Sequence, residues 1–164
     1  MKKYVEILML FVLLTLVQVL VLNNVNIFGY GTPFLYIYLL LRMDTETKSY
    51  EIMLWAFFLG LAIDIFSDTP GLNAAASVAL AFCRKGILKL YTTYDRLENC
   101  SPGIGSLGLS TYLKYALTCS ALHSCVLMTV EFFSFAGFGF ILLKILASTV
   151  MTVLCLVAAE QFRR

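Results

Sequence analysis

Residues 4–22 read YVEILMLFVLLTLVQVLVL, a run of Leu, Val, Ile and Phe interrupted by Glu6, Thr15 and Gln18. A helix rises 1.5 Å per residue, and a bilayer's hydrocarbon core is about 30 Å thick, so a run of this length is enough for one crossing. Lys2 and Lys3 precede it, as in a secretory leader, but no small-residue cleavage site follows, only Asn23-Asn24-Val25-Asn26. The segment is therefore expected to stay in place as an uncleaved anchor.

The rest of the chain has the same character. Its 164 residues are 60% hydrophobic and 13% charged, with a mean hydropathy of +0.87. A soluble domain carries about 25% charge because its surface must face water. The composition predicts an all-α integral membrane protein in a single polytopic domain, 1–164, with no length left for a soluble domain. At roughly 20 residues per crossing, six transmembrane helices are expected, near residues 4–22, 27–42, 51–66, 72–91, 112–133 and 138–159. The second is short and broken by Gly29, Gly31 and Pro33, so a re-entrant segment is its alternative. Residues 91–111, with Pro102 and several glycines, read as a loop.

Lys and Arg stay on the cytoplasmic side. Six spans with the N-terminus inside place ten of the 12 cations there: Lys2, Lys3, Arg42, Lys48, Arg84, Lys85, Lys89, Arg96, Arg163 and Arg164. The outer loops, 23–32, 67–71 and 134–137, hold none. Both termini are then cytoplasmic. Lys114 can snorkel from the inner end of span five, and Lys144 is left within span six.

Few residues offer chemistry. Cys83, Cys100, Cys119, Cys125 and Cys155 include no C-x-x-C pair and none lies in an outer loop, so they read as small apolar fillers rather than a metal or redox site. Gly103, Gly105 and Gly108 match the dinucleotide pattern G-x-G-x-x-G, but that motif needs a βαβ unit for which there is no room. No nucleophile–base pair appears. No catalytic residue, cofactor, metal or nucleic-acid partner is expected. His123, the one histidine, falls near the middle of span five, where an interhelical hydrogen bond is its expected role. Glu131 and Lys144 fall at similar depth in the last hairpin and are expected to pair.

Residues 58–76 read FLGLAIDIFSDTPGLNAAA. Pro70 and Gly71 turn the chain from one helix to the next. Gly60 and Ala74 to Ala76 permit close helix contact, and Asp68, Thr69 or Asn73 can cap the fourth helix. Asp64 and Asp68 sit at the outer end of span three. If Asp64 only packs or caps, Asp64→Asn is expected to change little.

This stretch resembles the MreD rod shape-determining family, with Gly60, Asp64, Pro70, Gly71, Asn73 and Ala74 matching its pattern. Residues 22–42, LNNVNIFGYGTPFLYIYLLLR, resemble the same family, particularly its branch in Bacteroides-like bacteria. Size and span count agree along essentially the whole chain; from Arg96 on, the similarity is in hydropathy more than in residues. The resemblance implies a non-enzymatic scaffold of the bacterial inner membrane. It would work with MreC, and indirectly with MreB, a RodA-type glycosyltransferase and a class B penicillin-binding protein, in the elongation machinery that builds side-wall peptidoglycan and sets cell shape. Within it, Gly60, Asp64, Asp68, Pro70, Gly71 and Asn73 are the candidate packing or interaction residues. The family is also similar in fold to the six-helix substrate-binding (S) components of vitamin transporters. That gives an alternative: a small-molecule uptake component, which needs a polar pocket open to the outside. Asn23, Asn24 and Asn26 are the main polar groups on offer there. A proton-coupled transporter would need acidic groups at the midplane, where only His123 lies.

Overall fold

A computed structural model describes residues 2–24, 31–93, 101–131 and 138–162, with the side chains of 2, 3, 138 and 140 left aside. The described residues are helical almost throughout. Helix α1 spans Lys2–Leu20 and runs through a single valine into a short 3-10 turn, Leu22–Asn24. Helix α2 is Ile37–Arg42, α3 Ser49–Ser67, α4 Leu72–Tyr91, α5 Ile104–Leu107, α6 Leu109–Glu131 and α7 Phe138–Phe162.

Among the described residues, four stretches are long and apolar enough to cross a membrane: Tyr4–Asn24, Ser49–Ser67, Leu109–Glu131 and Ile141–Phe162. Expected spans one, three, five and six thus have helices behind them. The other two differ. Helix α4 has 20 residues, about 30 Å at 1.5 Å each, but Arg84, Lys85 and Lys89 load its second half with charge. Segment 27–42 is helical only over Ile37–Arg42, about 9 Å, so among the described residues it does not form a continuous spanning helix. Pro33 explains part of this: it donates no N–H and pushes the residue before it out of the helical region. Part of the expected loop 91–111 is also helical, since α5 lies within it and α6 starts at Leu109.

The core is largely apolar, as in a soluble protein, but much of the exterior is apolar as well. Leu8, Met9, Leu13 and Leu16 of α1, Phe57, Phe58 and Ile65 of α3, and Leu142, Leu146, Val150 and Leu154 of α7 are all exposed. Gln18, Ser77, Arg84, Ser120, His123, Ser124, Ser148 and Thr152 are buried. An apolar exterior around a core that mixes apolar residues with buried polar ones suits a lipid surround, in which buried polar groups find partners between helices.

The broken second segment lies at the centre. Ile37, Leu39, Leu40 and Leu41 are essentially inaccessible, and α2 touches α1, α3, α4 and α6. Non-helical backbone at this depth must have its polar groups satisfied by protein. Side chains from two helices do so. Gln18 of α1 accepts from the Leu35 N–H at 2.9 Å and donates to the Pro33 carbonyl at 2.9 Å. From α7, Thr152 Oγ1 accepts from the Phe34 N–H at 3.0 Å and Ser148 Oγ from the Thr32 N–H at 3.3 Å. Gln18, which reads in the sequence as an interruption of an apolar run, anchors the segment that fills the bundle.

Candidate functional site: the polar network and cleft at the Asp64 end

Helices α3 and α4 form an antiparallel hairpin whose turn uses the left-handed region twice. Asp68 (φ 54°, ψ 40°) ends α3, its N–H bonding the Asp64 carbonyl, and Gly71 (φ 82°, ψ −4°) opens α4. A Cβ on Gly71 would meet nothing within 4 Å, so glycine serves there through its backbone freedom. Gly60 is the opposite case. A Cβ on it would lie 2.4 Å from Ala74 Cα and 2.6 Å from Asn73 O, so the two backbones meet where only hydrogen fits.

That contact brings Asp64 to the start of α4. The first N–H groups of a helix lack intrahelical acceptors, and Gly71, at the N-cap, has no side chain to offer. Asp64 supplies the cap from the neighbouring helix. Its Oδ1 accepts from the Asn73 N–H, Asn73 Nδ2 and Thr69 Oγ1, each at 2.9 Å. Its Oδ2 accepts from the Ala74 N–H at 3.0 Å. A carboxylate here also complements the positive end of the α4 dipole.

The network continues inward. Asn73 Oδ1 accepts from Tyr36 Oη at 2.9 Å, and Tyr36 Oη lies 2.8 Å from His123 Nε2. The proton order follows from valence. Asp64 can only accept, so Asn73 Nδ2 faces it and Asn73 Oδ1 must receive. Tyr36 spends its single proton on that oxygen, so His123 donates from Nε2. His123 Nδ1 is buried and without a hydrogen-bond partner. The His123 ring also packs against Phe34, centroids 5.1 Å apart.

A cleft of about 540 Å³ opens at this end of the bundle, with Thr69 and Asn73 on its floor and Gln18, Asn23, Thr32, Phe34, Phe66, Leu127, Met128 and Glu131 among its walls. Asn23 ties two of its sides together, accepting from Gln18 at 3.0 Å and donating to Ser67 Oγ at 2.7 Å.

Of the residues singled out in the sequence, Gly60, Asp64 and Asn73 thus meet through direct contacts, and His123 joins them through Tyr36. Gly71 shapes the turn between them. Asp68 and Pro70 are exposed on that turn. Glu131 closes α6, exposed on the cleft wall, and Lys144 lies on α7. Asn26 and Cys100 lie outside the described residues. Among the described residues no group of three His, Cys, Asp or Glu is placed to hold a metal.

Sequence reading missed Tyr36, which joins the α3–α4 turn to α6, and it missed the opposite end of the bundle. Arg84, counted in the sequence with the cations of the inner side, is 1% exposed. Its Nε donates to Tyr115 Oη at 3.0 Å, and its Nη2 donates to the Leu41 carbonyl at 3.2 Å and to that of Met43. It thereby caps the C-terminal end of α2, where carbonyls lack partners and positive charge is favoured. Tyr38 donates to Glu160 Oε2 of α7 at 2.7 Å, and Lys85 to the Thr47 carbonyl at 2.7 Å.

Compared with models of protein families, with curated proteins and with solved structures, the chain matches none.

Proposed function

We propose that this chain is a non-enzymatic, multi-pass scaffold of the bacterial inner membrane, acting with MreC in the complex that directs side-wall peptidoglycan synthesis. Six crossings are part of the proposal, α4 supplying one and the broken segment ending in α2 completing another. The Asp64 end faces outward, because the Arg84 end gathers the Lys and Arg. The observation behind the scaffold reading is what the motif residues do. Gly60, Asp64, Asn73 and Ala74, which carry the resemblance to the MreD family, are joined in one close hairpin contact and one cap. That is the work of a rigid framework, and it uses up their hydrogen-bonding capacity. Depletion in the native bacterium tests the proposal: cells should round and swell. Normal shape on depletion would count against it.

The cleft favours a second reading, a membrane component that binds a small molecule. Its volume of about 540 Å³ falls in the range of ligand pockets, roughly 300–1,000 Å³, and its lining joins Phe34, Phe66, Leu127 and Met128 to a majority of polar residues. Depletion would then leave shape intact and create a dependence on an external nutrient.

A further inference from the structure

We propose that the cleft at the Asp64 end takes a small organic cation with an apolar flank, and discriminates against anions. This rests on the second reading above, that the cleft binds a small molecule, and adds the chemistry of what enters.

Three observations define that chemistry. The first is the wall. Phe34, Phe66, Leu127 and Met128 give an apolar and aromatic side, and Glu131 is the only charged group among the lining residues described. The second is the charge around it. Asp64 is bonded to Thr69 and Asn73 of the lining and Asp68 stands on the adjacent turn, while residues 23–24, 31–32 and 67–71 contain no Lys or Arg. Lys144, further along α7, is not part of the lining. A cleft with walls of low dielectric and charge of one sign concentrates ions of the opposite sign. The third removes the feature that would favour an anion. The N-terminus of α4 reaches the cleft at Leu72 and Asn73, but the Asn73 and Ala74 N–H groups are already held by the Asp64 carboxylate. The helix end that would receive a phosphate or carboxylate is filled from within. Aromatic faces beside an acidic group suit an alkylammonium or a protonated amine.

Such a head group occurs on free amines and on lipids. The experiment uses the purified full chain in a non-ionic detergent and three probes that share one ring: benzyltrimethylammonium, benzyl alcohol and benzenesulfonate. Equilibrium dialysis should show the ammonium probe binding about tenfold more tightly than the sulfonate. Glu131→Gln should weaken the ammonium probe by about fivefold and leave the alcohol unchanged. Asn24 is exposed at the cleft, and its side-chain hydrogen bond is to the Leu20 carbonyl of its own helix. Asn24→Trp should therefore block the mouth without unfolding the chain, and should remove binding of both. Competition by added phosphatidylethanolamine would assign the head group to a lipid; its failure to compete would assign it to a soluble amine. Sulfonate binding as tight as ammonium binding, both blocked by Asn24→Trp, would overturn the charge preference and leave the cleft as a ligand site. Absence of binding by all three probes, or binding indifferent to Asn24→Trp, would overturn the site and the second reading with it.

Discussion

The two ends of the bundle solve the same problem with opposite charges. At each, a charged side chain is buried and satisfies a helix terminus that would otherwise be unpaired inside the protein. Asp64 takes the N–H groups at the start of α4, and Arg84 gives its N–H groups to the carbonyls at the end of α2. They differ in reach. Asp64 meets donors 9 and 10 residues away, across one turn, whereas Arg84 meets acceptors 43 and 41 residues away. The Asp64 cap needs only a hairpin to form. The Arg84 cap needs α2 to be seated at the centre, so it reports on the whole bundle.

This contrast sets the order of expected effects. Arg84→Met should be the most damaging change, because it leaves the Leu41 and Met43 carbonyls and the Tyr115 hydroxyl without their donor at once. A loss of about 3 kcal/mol or more is expected from several orphaned buried groups. Arg84→Lys should recover little, since one ammonium cannot reproduce the guanidinium fork. Thermal unfolding followed by fluorescence of Trp55, the chain's one tryptophan, would measure both. A loss under about 1 kcal/mol for Arg84→Met, the size of a single ordinary hydrogen bond, would mean that the two ends are not comparable.

Asp64→Asn comes next. Both carboxylate oxygens accept in the structure, so an amide necessarily turns an NH2 group toward a donor. The geometry therefore corrects the expectation that a cap would tolerate this change. A loss of about 1–3 kcal/mol should follow, from one unsatisfied buried donor and the lost charge at the α4 terminus. Recovery of MreC in co-purification, measured at matched expression, would separate this effect on folding from a contact with that proposed partner.

The two glycines sharpen the local part of the comparison. Gly60→Ala must force α3 and α4 apart at a backbone contact, with an expected loss of about 1–3 kcal/mol. Gly71→Ala meets open space and only its left-handed conformation opposes it, for about 1 kcal/mol. Equal effects in the same unfolding assay would mean that the hairpin is looser than the 2.4 Å approach at Ala74 implies.

Glu131 and Lys144 should show the smallest effect. The pairing expected of them in the last hairpin would take up the charge that the cation proposal gives to Glu131, so the two are alternatives that the double variant separates. Glu131→Gln should lower protein level by about twofold, the scale of an exposed pair, and adding Lys144→Met should restore part of it. A double variant no better than the worse single one would dismiss the pair.

What could be read from the sequence divides along the same line. Residues 58–76 hold glycine, turn and small residues within one hairpin, so local rules point to Gly60, Gly71 and Asn73, whereas Asp64 stands out only through the family resemblance. The choice among Asp68, Thr69 and Asn73 as the α4 cap was not decidable, because the true acceptor, Asp64, sits on the preceding helix. His123 is readable as a hydrogen-bonding residue but its partner is not, since Tyr36 is 87 residues away in a short, broken segment whose placement the sequence leaves open. Hydropathy treats Gln18 as a blemish in α1, when its amide is what allows residues 31–36 to leave the helix. Arg84 lies in a cluster with Lys85 and Lys89, which disguises that it turns inward.

The account requires the two ends to lie on opposite sides of one membrane, with the Asp64 end outside. Asp68 and Lys48 are exposed residues near the two ends, so Asp68→Cys and Lys48→Cys can report on them, with the parent chain giving the background from its own cysteines. A membrane-impermeant maleimide applied to intact spheroplasts should label Asp68→Cys and spare Lys48→Cys until the cells are lysed. Labelling of both before lysis, or of Lys48→Cys alone, would contradict the arrangement on which the proposed function rests.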